Sequence, residues 1–291
     1  MGTIVHRETL RAVNYDGPAP APCQEVLTYQ FIPASREFGD IHSIDVHPTE
    51  TWMLVGQSRG GYVSIWNYET QERITVFKVK DLHEQRGSIF STKFIAREQW
   101  FAAGDSDGWV HVYAYTTEYK VKEFQHHHGD HVNQLAVHPT DPLLLTASNH
   151  NSLIKFWDWS QSWTCARVLN TRCTVWRLTV GPRDTNTFAT YSNSGHVKIW
   201  DLQTMKQVHK LRVTRTSREK VRKVACHPTL PILATVMSRV GSPREIDICL
   251  CPNARTYTVS ATVRQPTAVA IPAPLCLATR GGGGSPARTR T

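Results

Sequence analysis

No stretch of this 291-residue chain is apolar over the ~20 residues that a bilayer-spanning helix needs. The longest apolar run near the C-terminus, Thr267–Ala278, is short and interrupted by Pro272 and Pro274. The first residues, Met1-Gly2-Thr3-Ile4-Val5-His6, offer no apolar signal core, and His6 breaks the acylation pattern that needs Ser or Thr there. No C-x-x-C pair occurs among the seven cysteines (Cys23, Cys165, Cys173, Cys226, Cys249, Cys251, Cys276), and Cys249-x-Cys251 is too tight for a zinc ribbon. Scattered thiols of this kind suit a reducing compartment, where most are expected to be small buried apolar groups. The motifs G-x-S-x-G, G-x-x-x-x-G-K-[ST] and H-E-x-x-H are all missing, so neither catalysis nor a cofactor is expected. No window of 12 or more residues carries a 3.6-residue apolar period, which leaves an essentially all-β chain.

Basic residues gather with little or no acid to balance them in two places. Over 206–223, Lys206, Lys210, Arg212, Arg215, Arg218, Lys220, Arg222 and Lys223 stand against Glu219 alone. Over 264–291, Arg264, Arg280, Arg288 and Arg290 meet no acid. The formal net charge of +9 therefore resides in one basic stretch and one basic tail, and the body is near neutral. A solvated loop between strands accounts for the first. With no aromatic interleaved there, nucleic acid is disfavoured as a partner.

What the chain has is a repeat. Trp66-Asn67, Tyr113-Ala114, Trp157-Asp158 and Trp200-Asp201 fall at intervals of 47, 44 and 43 residues. Each pair ends an alternating run, as in Tyr62-Val63-Ser64-Ile65-Trp66 and His196-Val197-Lys198-Ile199-Trp200, the pattern of a half-buried strand. A second apolar run lies upstream of each, joined to the first through turns such as Asp107-Gly108 and Ser194-Gly195. Further upstream a third run usually ends in a Pro turn: Val46-His47-Pro48, Val137-His138-Pro139, Val180-Gly181-Pro182 and Cys226-His227-Pro228. A fourth run follows each aromatic–polar pair, as in Arg73–Phe77. Four short strands per ~45 residues with Trp-Asp at one end predict β-propeller blades. Four are well formed, at about 38–77, 88–124, 131–169 and 173–211. A fifth, 221–260, begins well and loses the Trp-Asp pair. The expected organisation is an N-terminal extension (1–37), a propeller (38–260) and a disordered low-complexity tail (261–291) that contains Gly281-Gly282-Gly283-Gly284-Ser285-Pro286. The extension holds one strand-like run, Glu25–Phe31, of the kind that covers an open edge in a closed propeller.

Several phrases go beyond a generic repeat. His47-Pro48-Thr49-Glu50-Thr51-Trp52, Trp66-Asn67-Tyr68-Glu69-Thr70 and Lys93-Phe94-Ile95-Ala96-Arg97-Glu98-Gln99-Trp100 resemble the first two blades of the coatomer beta-prime family. Ala136-Val137-His138-Pro139-Thr140-Asp141-Pro142 with Ile154–Trp159 resembles its third, and Val197–Trp200 its fourth. His227-Pro228-Thr229-Leu230-Pro231-Ile232 resembles the sixth, so one blade has been skipped. The resemblance implies a WD-repeat β-propeller of about five blades, either closed on itself or left open as an incomplete ring.

It further implies a protein-interaction module of the coat on Golgi-to-endoplasmic-reticulum vesicles, cytoplasmic and held peripherally at membranes through partners. Those partners would be coat subunits or dilysine cargo tails, with no small-molecule substrate. The alternative is a truncated, diverged scaffold without cargo recognition. The family's dilysine site maps poorly. Its basic pair falls on Asp40 and His42, a further arginine on Phe90, and its acidic side on Asp130 and, near a longer turn, Asn149. Asp107 joins these candidates and is expected to pin its own turn, while Trp66, Tyr113, Trp157, Asp158, Trp200 and Asp201 are expected to build the blades.

Two other patterns have bland explanations. His126-His127-His128-Gly129-Asp130-His131 looks like a metal cluster but sits where a blade linker carries a structural His, and no metal site is expected. Asp45-x-His47 looks like a catalytic pair but lies on a repeated strand.

Overall fold

The computed structural model describes residues 39–79, 87–126, 129–148, 150–181, 185–192 and 194–212, together with the backbone of four later strands between 219 and 264. The extension 1–37, Asn149, His127, His128 and the tail beyond 264 lie outside the described residues. Among the described residues, twenty strands form five antiparallel four-stranded sheets. The first sheet holds β1 (Ile41–Val46), β2 (Trp52–Gln57), β3 (Tyr62–Asn67) and β4 (Arg73–Lys78). The second holds β5 (Ile89–Ile95), β6 (Trp100–Asp105), β7 (Trp109–Ala114) and β8 (Lys120–Gln125). The third holds β9 (Val132–Val137), β10 (Leu143–Ser148), β11 (Leu153–Asp158) and β12 (Thr164–Asn170). The fourth holds β13 (Val175–Val180), β14 (Thr187–Ser192), β15 (His196–Asp201) and β16 (Gln207–Arg212). The fifth holds β17 (Glu219–Cys226), β18 (Ile232–Arg239), β19 (Ser242–Pro252) and β20 (Val259–Arg264). This last sheet is four-stranded despite lacking a Trp-Asp pair, because ladder hydrogen bonding needs strand length rather than that signature. The single helical turn among the described residues is 3₁₀, Ala96–Glu98. No helix there is long and apolar enough to cross a membrane.

The sheets stand in a row like blades. Each first strand packs beside the next sheet's first strand, β1 on β5, β5 on β9, β9 on β13 and β13 on β17. No comparable packing of β17 on β1 closes the row among the described residues, so the β-propeller is open. The core lies between sheets. Leu54, Ile65 and Phe77 of the first meet Phe94, Phe101 and Tyr113 of the second. Phe124 of the second meets Leu144, Trp157 and Trp163 of the third. Phe156 and Leu169 of the third meet Phe188 and Trp200 of the fourth. Middle strands are thus buried on both faces, which explains their near-continuous apolar runs. Close approach of the sheets demands Gly104. A Cβ there would lie 2.6 Å from Val132 Cγ1 and 2.8 Å from its carbonyl oxygen.

The aromatic near the end of the third strand reaches the strand before it in the second, third and fourth sheets, and bonds within its own strand in the first. Trp157 and Trp200 donate their indole N–H to Thr146 and Thr190 Oγ1 at 2.9 and 2.8 Å, and Trp66 donates to Ser64 Oγ at 2.9 Å. Tyr113 fills the same place by stacking on Phe101 at 5.7 Å. The following polar residue caps the hairpin. Asp158 Oδ1 accepts from Ser160 N (2.9 Å), and Asp201 Oδ1 from Thr204 N (2.6 Å). Those Thr204 bonds hold the exposed Asp201 carboxyl below its ordinary pKa. Among the described thiols, Cys165 is exposed on the outer strand β12 and Cys173 is half-buried.

Candidate functional site

The row has two ends of different character. One carries the links from each sheet to the next and the β2–β3, β6–β7, β10–β11 and β14–β15 turns. The candidate residues Asp40, Phe90, Asp107 and Asp130 all lie there. The other end carries the His-Pro turns and the Trp-Asp hairpins.

At the loop end, aromatic rings form a ladder across three sheets. His42 of β1 stacks on Phe90 of β5 with centroids 4.9 Å apart and planes at 19°. Phe90 meets His131, just before β9, at 5.0 Å, and His131 meets His150 edge-on at 4.8 Å. Phe90 and His131 are half-buried, and His42 and His150 are exposed. His131 is oriented by donating Nδ1–H to the Ser106 carbonyl at 2.6 Å, which fixes its tautomer because a carbonyl only accepts. The ladder was hidden in the sequence, since its rungs are far apart along the chain.

Carboxylates flank it. Asp130 precedes His131 and accepts from the Asn151 side-chain amide. Asp107 follows Ser106, whose hydroxyl lies 3.3 Å from its Oδ1. Asp40 is exposed, and its backbone is tied to Ser58 in both directions, N to Oγ at 2.7 Å and O to Ser58 N at 2.8 Å. Where the resemblance placed basic groups, the chain thus presents an imidazole and a phenyl ring in contact.

The fully buried Asp105 also pins the turn that holds Asp107, its Oδ1 accepting from Asp107 N (2.9 Å) and Trp109 N (2.8 Å). Its Oδ2 lies 3.1 Å from His111 Nε2. The pinning group sits at the strand end, two residues earlier than the turn dipeptide suggests. In the third sheet Asn151 Oδ1 does the same work, accepting from Leu153 N at 2.9 Å.

Of the histidine run, His126 and His131 are described, and they have different partners. His126 is fully buried, with Nδ1 2.7 Å from the Thr146 hydroxyl that also receives Trp157. Among the described residues no group of three His, Cys, Asp or Glu could hold a metal. Asp45 and His47 also diverge. Asp45 pairs with Lys93 and accepts from Phe94 N, while His47 faces Tyr115.

The turn end joins blades. His47 Nδ1 accepts from Glu50 N (3.0 Å), so Nε2–H donates to Tyr115 OH (3.1 Å) in the next sheet. Burial, opposed by Glu50 and Asp45, holds this imidazole below its ordinary pKa of 6.5. His138 repeats the arrangement, accepting from Asp141 N (2.8 Å) and donating to the Thr185 carbonyl (2.6 Å). Arg97 donates to the carbonyls of Thr140 and Asp141 and lies 4.7 Å from the Trp159 ring centroid. A cavity of about 230 Å³, lined by Pro142, Phe156, Arg167 and Met205 among others, also opens at this end, away from the ladder.

With this geometry in view, known proteins can be compared. The WD domain, G-beta repeat family (WD40) matches residues 30–67 and 118–158. The putative coatomer subunit beta'-3 of Oryza sativa subsp. japonica is 43% identical over 161 residues, or 55% of this chain and 17% of that protein. The coatomer subunit beta' of Homo sapiens is 38% identical over 163 residues, or 56% of this chain and 17% of that protein. The chain is similar to these coatomer subunit beta' proteins and carries WD40 repeats. Its matched region spans about one sixth of the length of these relatives.

Proposed function

We propose that the chain is a protein-interaction module of the vesicle-coat type, acting in intracellular protein transport rather than catalysis. Residues 38–260 serve as the interaction unit between the N-terminal extension and the tail, in the cytoplasm and at Golgi or vesicle membranes through partners. Coat subunits and lysine-bearing cytosolic tails are the partner class. The relatives' names support the coat assignment. The loop end is the binding face, with Asp107 and Asp130 as the carboxylates that ammonium groups would approach by charge-assisted hydrogen bonding.

The observation that carries the reading is Phe90 between His42 and His131. It makes a continuous ring surface where a clamp for a terminal carboxylate would need fixed cations. Such a clamp contributes ~1.5–3 kcal/mol per charged hydrogen bond, so its absence removes selectivity for a free C-terminus. Calorimetry with a peptide ending in two lysines, its C-terminal amide and a Ser-Ser control tests this. The acid and the amide should bind within about twofold of each other, and both more tightly than the control. Equal binding of all three would overturn the lysine-tail reading in favour of a scaffold without cargo recognition. A tenfold or greater preference for the free acid would overturn the loss of the clamp.

A further inference from the structure

The sheets repeat one another closely, so a side chain missing from one interface can be named from the others. Tyr115, Trp159 and Leu202 follow the third strands of the second, third and fourth sheets and hold the same backbone place. Their amides donate to the carbonyls of Gln99, Pro142 and Asn186 at 3.1, 3.1 and 2.7 Å. Each faces the sheet before it. The residue that opens the second strand of that earlier sheet is Trp52, Trp100 and Leu143 in turn.

At the first interface the Tyr115 ring lies 5.7 Å from Trp52 and 5.8 Å from His47. At the second, Trp159 lies 5.6 Å from Trp163, which is itself 6.0 Å from Trp100. Trp159 also donates its indole N–H to Glu98 at 3.2 Å. At the third interface both places hold leucine, Leu143 and Leu202. The cavity of about 230 Å³ lies there, lined by both leucines together with Pro142, Phe156 and Met205. It is the space left where two rings of the repeat become aliphatic chains.

Its size decides what it can hold. An apolar cavity of about 150 Å³ accepts benzene, whereas drug-sized ligands need roughly 300 Å³ or more. This one takes a single substituted ring. Its rim is open to solvent, since Asp141, Ala166 and Arg167 are exposed. Asp141 and Asp158 are the carboxylates of the lining, and its one guanidinium, that of Arg167, is held by the Leu202 carbonyl at 2.7 Å. The charge at the rim favours a cation beside the ring.

We propose that the cleft between the third and fourth sheets, at the turn end, binds a segment of a partner protein by an aromatic side chain flanked by lysine or arginine. The ring takes the place that Tyr115 and Trp159 fill at the earlier interfaces, against Phe156 and Leu202. The neighbouring cation meets Asp141, whose side chain is 55% exposed. This site is separate from the loop-end face and does not depend on it. It stands where the aromatic packing that joins the sheets at the turn end gives way to leucine.

The probe is a fluorescein-labelled, amidated peptide, Gly-Lys-Tyr-Lys-Gly, titrated with the full chain and read by anisotropy. Replacing its tyrosine by alanine should weaken binding about tenfold or more, and replacing both lysines by glutamate should weaken it about as much. Leu202→Tyr, which restores the ring of the repeat, should also weaken binding about tenfold or more without lowering the urea midpoint, because it fills the cavity from within. Phe90→Ala should leave the affinity within about twofold, which separates this site from the loop end. With p-benzoylphenylalanine in place of the peptide's tyrosine, ultraviolet cross-linking should mark the tryptic fragment Ile199–Lys206, which carries Leu202 and Met205, and this readout needs no variant of the chain. Unchanged affinity in Leu202→Tyr, equal binding of the alanine or glutamate peptide, loss of binding in Phe90→Ala, or cross-links confined to other segments would overturn the proposal.

Discussion

The turn end and the loop end of the row are built from the same residue types and use them oppositely. At the turn end, His47, Arg97 and His138 spend their polar atoms on the neighbouring sheet. At the loop end, His42, Phe90, His131 and His150 stack on one another and leave ring surface open to solvent. The lesson is that residue type does not separate structure from binding in a repeat protein. Burial and the identity of the hydrogen-bond partner do.

Breaking the turn end should cost stability. His47→Ala removes a buried ring that packs on Trp52, Phe94 and Tyr115 and strands the Glu50 amide. The expected loss is about 2–3 kcal/mol in the urea unfolding free energy. Arg97→Ala removes carbonyl hydrogen bonds and the contact with Trp159, but the side chain is partly exposed, so about 1–2 kcal/mol is expected.

The loop end should respond weakly by the same measure. Phe90→Ala is expected to cost under ~1 kcal/mol, since the ring is only half-buried.

A pH effect is smaller still and sharpens the contrast. Because His47 has a lowered pKa in the folded chain, the unfolded chain binds its proton more readily. Its contribution is fully present above the unfolded value near 6.5 and is lost as pH falls below that value towards the folded one. The urea midpoint should fall over this window, and His47→Gln should flatten the fall.

Much of the fold was legible in the sequence because blade strands obey local rules. Alternation gave the third strands, and Asn67, Asp158 and Asp201 marked their hairpins because an Asx cap bonds only two or three residues ahead. The fifth sheet was half legible, since its later strands carry no Trp-Asp pair. What failed to show were contacts between sheets. The Phe90 ladder and the bonds of His47 and Arg97 join residues more than 40 positions apart, and no spacing rule reports them. Asp105 went unread for a nearer reason. The Asp-Gly dipeptide marks a turn, but the carboxylate that satisfies its amides comes from Asp105 behind it.

The central claim is that one end of the row holds the blades together and the other binds lysine-bearing tails. It is tested most directly by measuring urea midpoint and lysine-peptide affinity on the same two variants. The account predicts that Phe90→Ala weakens the amidated Lys-Lys peptide about fivefold or more with little change in midpoint, whereas Arg97→Ala lowers the midpoint and leaves affinity within about twofold. Unchanged affinity in Phe90→Ala, or a parallel loss of both properties in both variants, would contradict it.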